Sequence, residues 1–290
     1  MAVEVALKMD GEIVSADSMM VYRGMDIGTA KPTPTERKGI PHHLIDVIDP
    51  DQDFSVAAYQ RLARESIREI SARGRLPVLA GGTGLYIRAV LEGFQLPGGR
   101  DLGLRRRLAE EARRHGVVHL HERLRAIDPE AAARIHPNNL KRVIRAIEVY
   151  HQTGTPMSRA ASVAEPGYDA LVIGLYLERS QLYRRIEARV DAMITGGLVD
   201  EVRGLIAGGV KRDSTAMQAL GYKEIAAYLS GEVSLEEAVW LLKRNTRRFA
   251  KRQLTWFRRD ERIRWLNVAD FPGEAVAGEI ALMVKEYFRR

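Results

Sequence analysis

Short apolar runs that end in acids or glycine alternate with stretches in which apolar residues recur every three or four positions. Residues 2–9 read as the tail of an amphipathic helix closed by Gly11. Residues 13–16 and 43–48 read as buried strands, each leading into acids and a loop. Val56, Tyr59, Leu62, Ala63, Ile67 and Ile70 give residues 54–72 a helical period, and Gly74 is a stop signal. Residues 76–80 form a further apolar run, followed by Gly81-Gly82-Thr83-Gly84 and a helix through Leu91. Strands alternating with helices predict βαβ units and a parallel sheet, an α/β fold.

The alternation then stops. Residues 100–150 read as helices only, broken at Gly116, Asp128-Pro129 and His136-Pro137. A Gly/Pro/Ser/Ala-rich connection, 152–168, precedes a continuous apolar run at 170–177, so the sheet is expected to resume after a helical insertion. Residues 179–259 are mostly helical in pattern, 263–267 read as a last strand and 273–290 as a closing helix. The division predicted is a core of residues 1–96 and 166–290 with an insertion of 97–165.

Composition narrows the class. The chain has 290 residues, 46% hydrophobic, enough for a large core in two lobes. Lys and Arg outnumber Asp and Glu 45 to 38, for a net charge of +7, which favours a polyanionic partner. The excess is local: residues 100–165 hold 13 basic and 8 acidic residues, and 243–259 hold eight basic residues and no acid. On a helix, Leu242, Phe249 and Trp256 would share a packing stripe, with Trp256 in the core, and Arg244, Arg248, Arg252 and Arg259 a cationic one. The absence of cysteine excludes disulfides and thiolate metal sites. No apolar run approaches the ~20 residues that span a bilayer, and the N-terminus lacks a signal-peptide pattern, so a cytoplasmic protein is expected. His119 and His121 lie in a helical stretch without an acid–histidine cluster, which argues against a zinc site. His42 and His43 read as capping or core residues.

Chemistry concentrates in residues 15–32, where a strand delivers Asp17 into a loop rich in Gly, Asp, Thr and Lys. Open α/β sheets bind ligands at such strand ends. Asp17 reads either as a turn acid or as a general base or metal-shell acid. Gly81–Gly84 reads either as a tight capped turn or as a site where a ligand approaches the backbone at a helix N-terminus. Arg142 and Arg145 share one helix face, and Arg185 and Arg189 lie one turn apart on another.

Five blocks in order carry a resemblance. They are the segment 15–32, Gly-Gly-Thr-Gly-Leu-Tyr-Ile-Arg at 81–88, Pro-Asn-Asn-Leu-Lys-Arg-Val-Ile-Arg-Ala at 137–146, Met-Gln-Ala-Leu-Gly-Tyr-Lys at 217–223 and Lys-Arg-Gln-Leu-Thr-Trp-Phe-Arg at 251–258. Together they resemble the tRNA dimethylallyltransferases. The resemblance implies a P-loop NTPase-like core with a helical tRNA-binding insertion. It also implies transfer of a dimethylallyl group from its diphosphate to the N6 amine of the adenosine beside the anticodon. By the same match Asp17 is the base and Thr83 orients the adenine. Arg189, Arg88, Lys31 and Thr29 face the diphosphate, with Mg²⁺ neutralising the leaving group. Those implied to meet tRNA are Asp17, Ser18, Met19, Met20, Thr83, Arg105, Lys141, Arg142, Val143, Ile144, Arg145, Gln218, Gly221, Tyr222, Lys223, Lys251, Arg252 and Gln253.

In the family a first strand and a Gly-x-x-x-x-Gly-Lys-Thr loop precede the helix of residues 2–9. No such string occurs in these residues, so the expectation is a chain without that strand and loop. Lys141 and Met20 stand where many members carry Gln. Two rivals stay open: a tRNA-binding remnant without catalysis, and an enzyme that prenylates free adenine nucleotides. A monomer without membrane contact is expected.

Overall fold

A computed structural model describes residues 1–93, 99–160, 167–269 and 273–289. The chain separates into two compact units, Met1–Leu91 with Asp169–Arg290, and Glu92–Tyr168. The boundaries expected at 96/97 and 165/166 lie outside the described residues.

The first unit begins with α1 (Ala2–Lys8), β1 (Gly11–Ser15), the short α2 (Pro34–Arg37), β2 (His42–His43), α3 (Val56–Ala72), β3 (Leu76–Ala80) and α4 (Gly84–Glu92). Every residue of β1 is buried, and the strand pairs in parallel with β2 on one side and β3 on the other. The three-to-four spacing of α3 buries Tyr59, Ala63, Ile67 and Ile70, and the Ser55 hydroxyl caps the helix by accepting from the Ala58 N–H at 3.1 Å. The strand expected at 43–48 stops after His43. Leu44 and Asp46 turn the chain with φ of +63° and +56°, and only Ile48 returns, as a single bridge to Tyr22. The cause is electrostatic: the Lys31 ammonium fixes the Asp46 carboxylate at 2.6 Å.

The apolar reading of β1 also hid a charge cluster. Glu12 lies inside the strand, 2% exposed, and takes His43, Arg73 and Arg75 at 2.7, 2.8 and 3.1 Å. Burial pushes its carboxyl up, but those three hydrogen bonds outweigh burial and hold it at about 2.

The second unit holds α5 (Leu102–His115), α6 (Val117–Ile127), α7 (Pro129–Arg134), α8 (Leu140–Thr153) and α9 (Met157–Ala160). They close on a core that includes Leu104, Leu108, Leu120, Leu124, Val143 and Ile147. The breaks fall where the sequence places them. Asp128 caps α7 and also accepts from the Ser158 N–H and hydroxyl at 2.9 and 2.7 Å, while Asn139 caps α8. His121 is buried, its Nε2 against the Ala132 and Ile135 carbonyls.

The first unit resumes with β4 (Ile173–Tyr176), α10 (Arg179–Thr195), α11 (Leu198–Ala207), α12 (Tyr222–Leu229), α13 (Leu235–Phe257), β5 (Arg264–Asn267) and α14 (Gly273–Tyr287). The expected continuation of one sheet is not met among the described residues. β4 pairs with β5 in a separate parallel ladder, and no ladder joins it to β1–β3. Apolar runs carry strand identity but not which edges meet. One apolar cluster nevertheless serves both sheets: Val5 of α1 and Val276, Ala277, Ile280 and Val284 of α14 pack with Leu76, Ile173 and Leu266. A second cluster seats the loop after β1, with Val21, Tyr22 and Met25 buried against Leu198, Val202, Met217, Tyr222 and Leu242.

Two buried acids, Glu12 and Glu148 of α8, have carboxyls held at about 2 when folded against an ordinary 4.5. A depressed folded value contributes stability that is complete above the ordinary value and lost as pH falls through the folded one. Denaturant midpoints are therefore expected to be level from neutrality down to about pH 5 and to fall steeply below about pH 4. Glu12→Gln, measured across the same series, should show a shallower acid limb.

Candidate active site

The turn Gly81–Gly84 lies across the C-terminal end of β1. The Ala16 N–H donates to the Ala80 carbonyl at 2.7 Å, and the Thr83 N–H returns to the Ala16 carbonyl at 3.1 Å. The approach is so close that a methyl on Gly81 would fall 2.4 Å from the Ala16 backbone carbon and oxygen, where nothing can give way. Gly81→Ala should cost about 1–3 kcal/mol by overpacking. At Gly82 the atom in the way belongs to the Gln253 side chain, so Gly82→Ala should cost less. Denaturant unfolding of the two variants checks the difference.

This turn brings Thr83 to the start of the next loop, where its hydroxyl accepts from the Ser18 N–H at 3.1 Å and donates to the Ser18 hydroxyl at 3.3 Å. Asp17 stands beside them. Its Oδ1 accepts from the Met19 and Met20 N–H groups at 2.7 and 3.3 Å, while Oδ2 makes no hydrogen bond among the described residues. One oxygen closes a turn, as the turn-acid reading expects, and the other is left without a hydrogen bond among the described residues. Burial pushes its carboxyl above the ordinary range, outweighing the two backbone hydrogen bonds. Tyr59 and Tyr86 stack nearby with centroids 3.9 Å apart, and the charge of Asp17 adds to burial in raising both hydroxyls.

On the other side, α13 meets the same turn. The Gln253 amide donates to the Gly82 carbonyl at 2.9 Å, and a methyl on Gly84 would lie 2.2 Å from Trp256 Nε1. Trp256 corrects an expectation: it is 37% exposed and lies over the glycine turn, outside the core. Of the stripe Leu242, Phe249 and Trp256, only Leu242 is buried.

Other expected residues fall elsewhere. Lys31 is a strut: its buried ammonium donates to the Tyr22 carbonyl, Asp26 and Asp46 at 3.0, 2.5 and 2.6 Å, which uses all three donors and leaves none for a diphosphate. The Thr29 hydroxyl donates to the Met25 carbonyl at 2.6 Å. Arg88 is exposed one turn into α4, where its charge adds to the Arg262 hydrogen bonds that hold the Asp260 carboxyl down, and Arg189 is exposed on α10. Gly221 and Tyr222 belong to the core, Tyr222 fully buried with its hydroxyl donating to Glu201 at 2.6 Å. Gln218 donates to the Arg212 carbonyl at 2.8 Å, and Lys223 is exposed near Glu224. Lys251 and Arg252 are exposed on α13.

In the helical unit, Lys141 and Arg142 are exposed, whereas Val143 and Ile144 are buried in its core, so their side chains are not available to tRNA. That follows from the helical period of about 3.6 residues, which sets Val143, Ile144 and Ile147 on the packed side of α8 and leaves Lys141 and Arg142 on the other. Arg105 and Arg145 are turned toward a partner: Arg105 grips Glu148 through two bonds of 2.8 and 2.7 Å, and Arg145 joins at 2.6 Å.

Sequence reasoning overlooked Glu201, in the first turn of α11. Its two oxygens accept from three successive amides, Asp26, Ile27 and Gly28, at 3.0, 2.8 and 3.1 Å. The only available signal was a pair of acids, Asp200 and Glu201, at a helix start.

The sequence pattern of the IPP transferase family matches residues 20–260. A tRNA dimethylallyltransferase of Desulforudis audaxviator is 58% identical over 273 residues, covering 93% of this chain and 88% of that protein. One of Pelotomaculum thermopropionicum is 53% identical, covering 96% and 89%. Among solved structures, the tRNA isopentenylpyrophosphate transferase of Bacillus halodurans is 48% identical, covers 99% of this chain and 91% of its own, and superposes with a TM-score of 0.74. A eukaryotic dimethylallyltransferase acting on tRNA is 26% identical, covers 100% and 76%, and reaches a TM-score of 0.84. The α/β core with its helical second unit is therefore the architecture of these transferases, and the chain belongs to the IPP transferase family.

Proposed function

We propose that the chain transfers a dimethylallyl group from dimethylallyl diphosphate to the N6 amine of the adenosine next to the anticodon in tRNA. The observation that carries the reading is the cluster of Asp17, Ser18 and Thr83 at the end of β1, with one Asp17 oxygen open and its carboxyl pushed up by burial. The adenine amine is a weak nucleophile because its lone pair is delocalised into the ring. As N6 bonds to C1 of the dimethylallyl group, the C1–O bond breaks and diphosphate departs with the electron pair. The amine proton passes to Asp17, whose raised basicity suits that task. Thr83 orients the base. The amine is unreachable in a stacked helix, so the adenosine must be flipped out.

Arg189 and Arg88, both exposed cations of the first unit, are the proposed contacts for diphosphate; Thr29, whose hydroxyl donates to the Met25 carbonyl, is a lesser one, and Lys31 drops out. Mg²⁺ is bound by one or two carboxylates together with substrate phosphates and water. Among the described residues no three potential ligands gather to hold an ion. The residues present therefore fit Mg²⁺ only as a companion of the diphosphate, where it would offset the charge of the leaving group. Among the described residues no helix is long and apolar enough to cross a membrane.

Exposed cations at Lys141, Arg142, Lys251 and Arg252 favour a polynucleotide acceptor over a mononucleotide. Incubation with dimethylallyl diphosphate and either tRNA or adenosine monophosphate tests this. Mass analysis of the nucleosides should find dimethylallyl adenosine from tRNA alone; modified mononucleotide with unmodified tRNA would sink the reading.

A further inference from the structure

Trp256 has no assigned part in the transfer, yet it occupies a position that packing alone does not explain. The four-residue turn Gly81–Gly84 touches Ala16 at Gly81 and Ser18 at Thr83, and it touches Gln253 at Gly82 and Trp256 at Gly84. One turn therefore contacts both the segment that carries Asp17 and the Trp256 indole. The lack of a side chain at Gly84 is what lets the indole settle there. A tryptophan recruited for the core would be enclosed, as Tyr222 is at 0% exposed; Trp256 keeps 37% of its surface open. Its neighbours along the chain are cationic: Arg252, four residues before it, and Arg259, three after, are exposed, within a segment of eight basic residues and no acid.

An open indole bordered by cations suits one class of ligand, a nucleobase on a phosphate backbone. The flat ring takes the base by stacking and the cations follow the phosphates. We propose that Trp256 is the stacking platform for the purine that enters the Asp17–Thr83 crevice. The proposal rests on the reading of the site as one that takes a tRNA adenosine. A base flipped from the anticodon loop loses its stacking neighbours, and the indole replaces one of them.

The test measures dissociation constants of the full chain for two anticodon stem-loop RNAs, one with adenosine at the acceptor position and one abasic there. The native protein should prefer the adenosine RNA by about 10-fold or more. Trp256→Phe, which keeps a ring, should retain most of that preference. Trp256→Ala should bind the two RNAs with nearly equal constants, while its affinity for the abasic RNA stays within about twofold of native. If Trp256→Ala keeps the native preference, or loses both RNAs equally, the indole only packs on Gly84 and the proposal falls. If the native protein binds neither RNA better than a DNA hairpin of equal length, the tRNA reading fails, and the proposal goes with it for that separate reason.

Discussion

Glu148→Ala is expected to cost the helical unit about 3–5 kcal/mol, because it removes the one anion that two arginines and a backbone amide share. Glu148 is fully buried, and it accepts from Arg105, Arg145 and the Asp101 N–H. Burial raises its carboxyl, but these donors outweigh burial and hold it at about 2, so the group is ionised at any pH near neutral. The guanidinium groups keep some access to water, with side chains 28% and 30% exposed, which places the loss toward the lower end of the range. Glu148→Gln keeps the shape and some acceptors but not the charge, and should lose less. Denaturant unfolding at neutral pH gives both values. Near pH 2 the variants and the native protein should converge, since protonation removes the same charge. An equal loss at both pH values would show that shape, not charge, is what Glu148 supplies.

Asp17→Asn is expected to lower the rate of transfer by about 10²–10⁴, the range a positioned general base supplies. The substitution is chosen to spare everything else. Asparagine retains an Oδ1 that accepts from the Met19 and Met20 N–H groups, so the turn persists. It also removes a charge that burial disfavours, so the melting temperature should not fall. Binding of tRNA should change little. A variant that loses affinity as much as rate would make Asp17 a binding group; one with native rate would remove it from the chemistry.

The fold was legible where a period carries it. The three-to-four spacing of Tyr59, Ala63, Ile67 and Ile70 placed α3, and the Pro and Gly breaks placed the helices of the second unit. Side chains that meet across long sequence distances were not legible. Residues 43–48 have strand composition, yet a lysine twelve positions before the expected start draws Asp46 into a turn; no local pattern records that partner. The same blindness made Lys31 a ligand candidate, hid Glu12 within an apolar run, and left Glu201 unread as the acceptor for three loop amides. At the candidate site the motif blocks led to Asp17, Ser18, Thr83 and Gln253, which the fold does bring to one turn. They could not separate residues that face solvent from neighbours that pack, so Val143, Ile144 and Tyr222 entered the list and Trp256 was set in the core.

The central claim is that the open carboxylate of Asp17 takes the proton of an adenine amine in tRNA. Single-turnover transfer of labelled dimethylallyl to an anticodon stem-loop, followed across pH, tests it most directly. The account predicts a rate that rises as one group loses its proton, with an apparent pKa above the ordinary aspartate value, and a slow, pH-independent rate in Asp17→Asn. The same rate and the same pH limb in both proteins would contradict it.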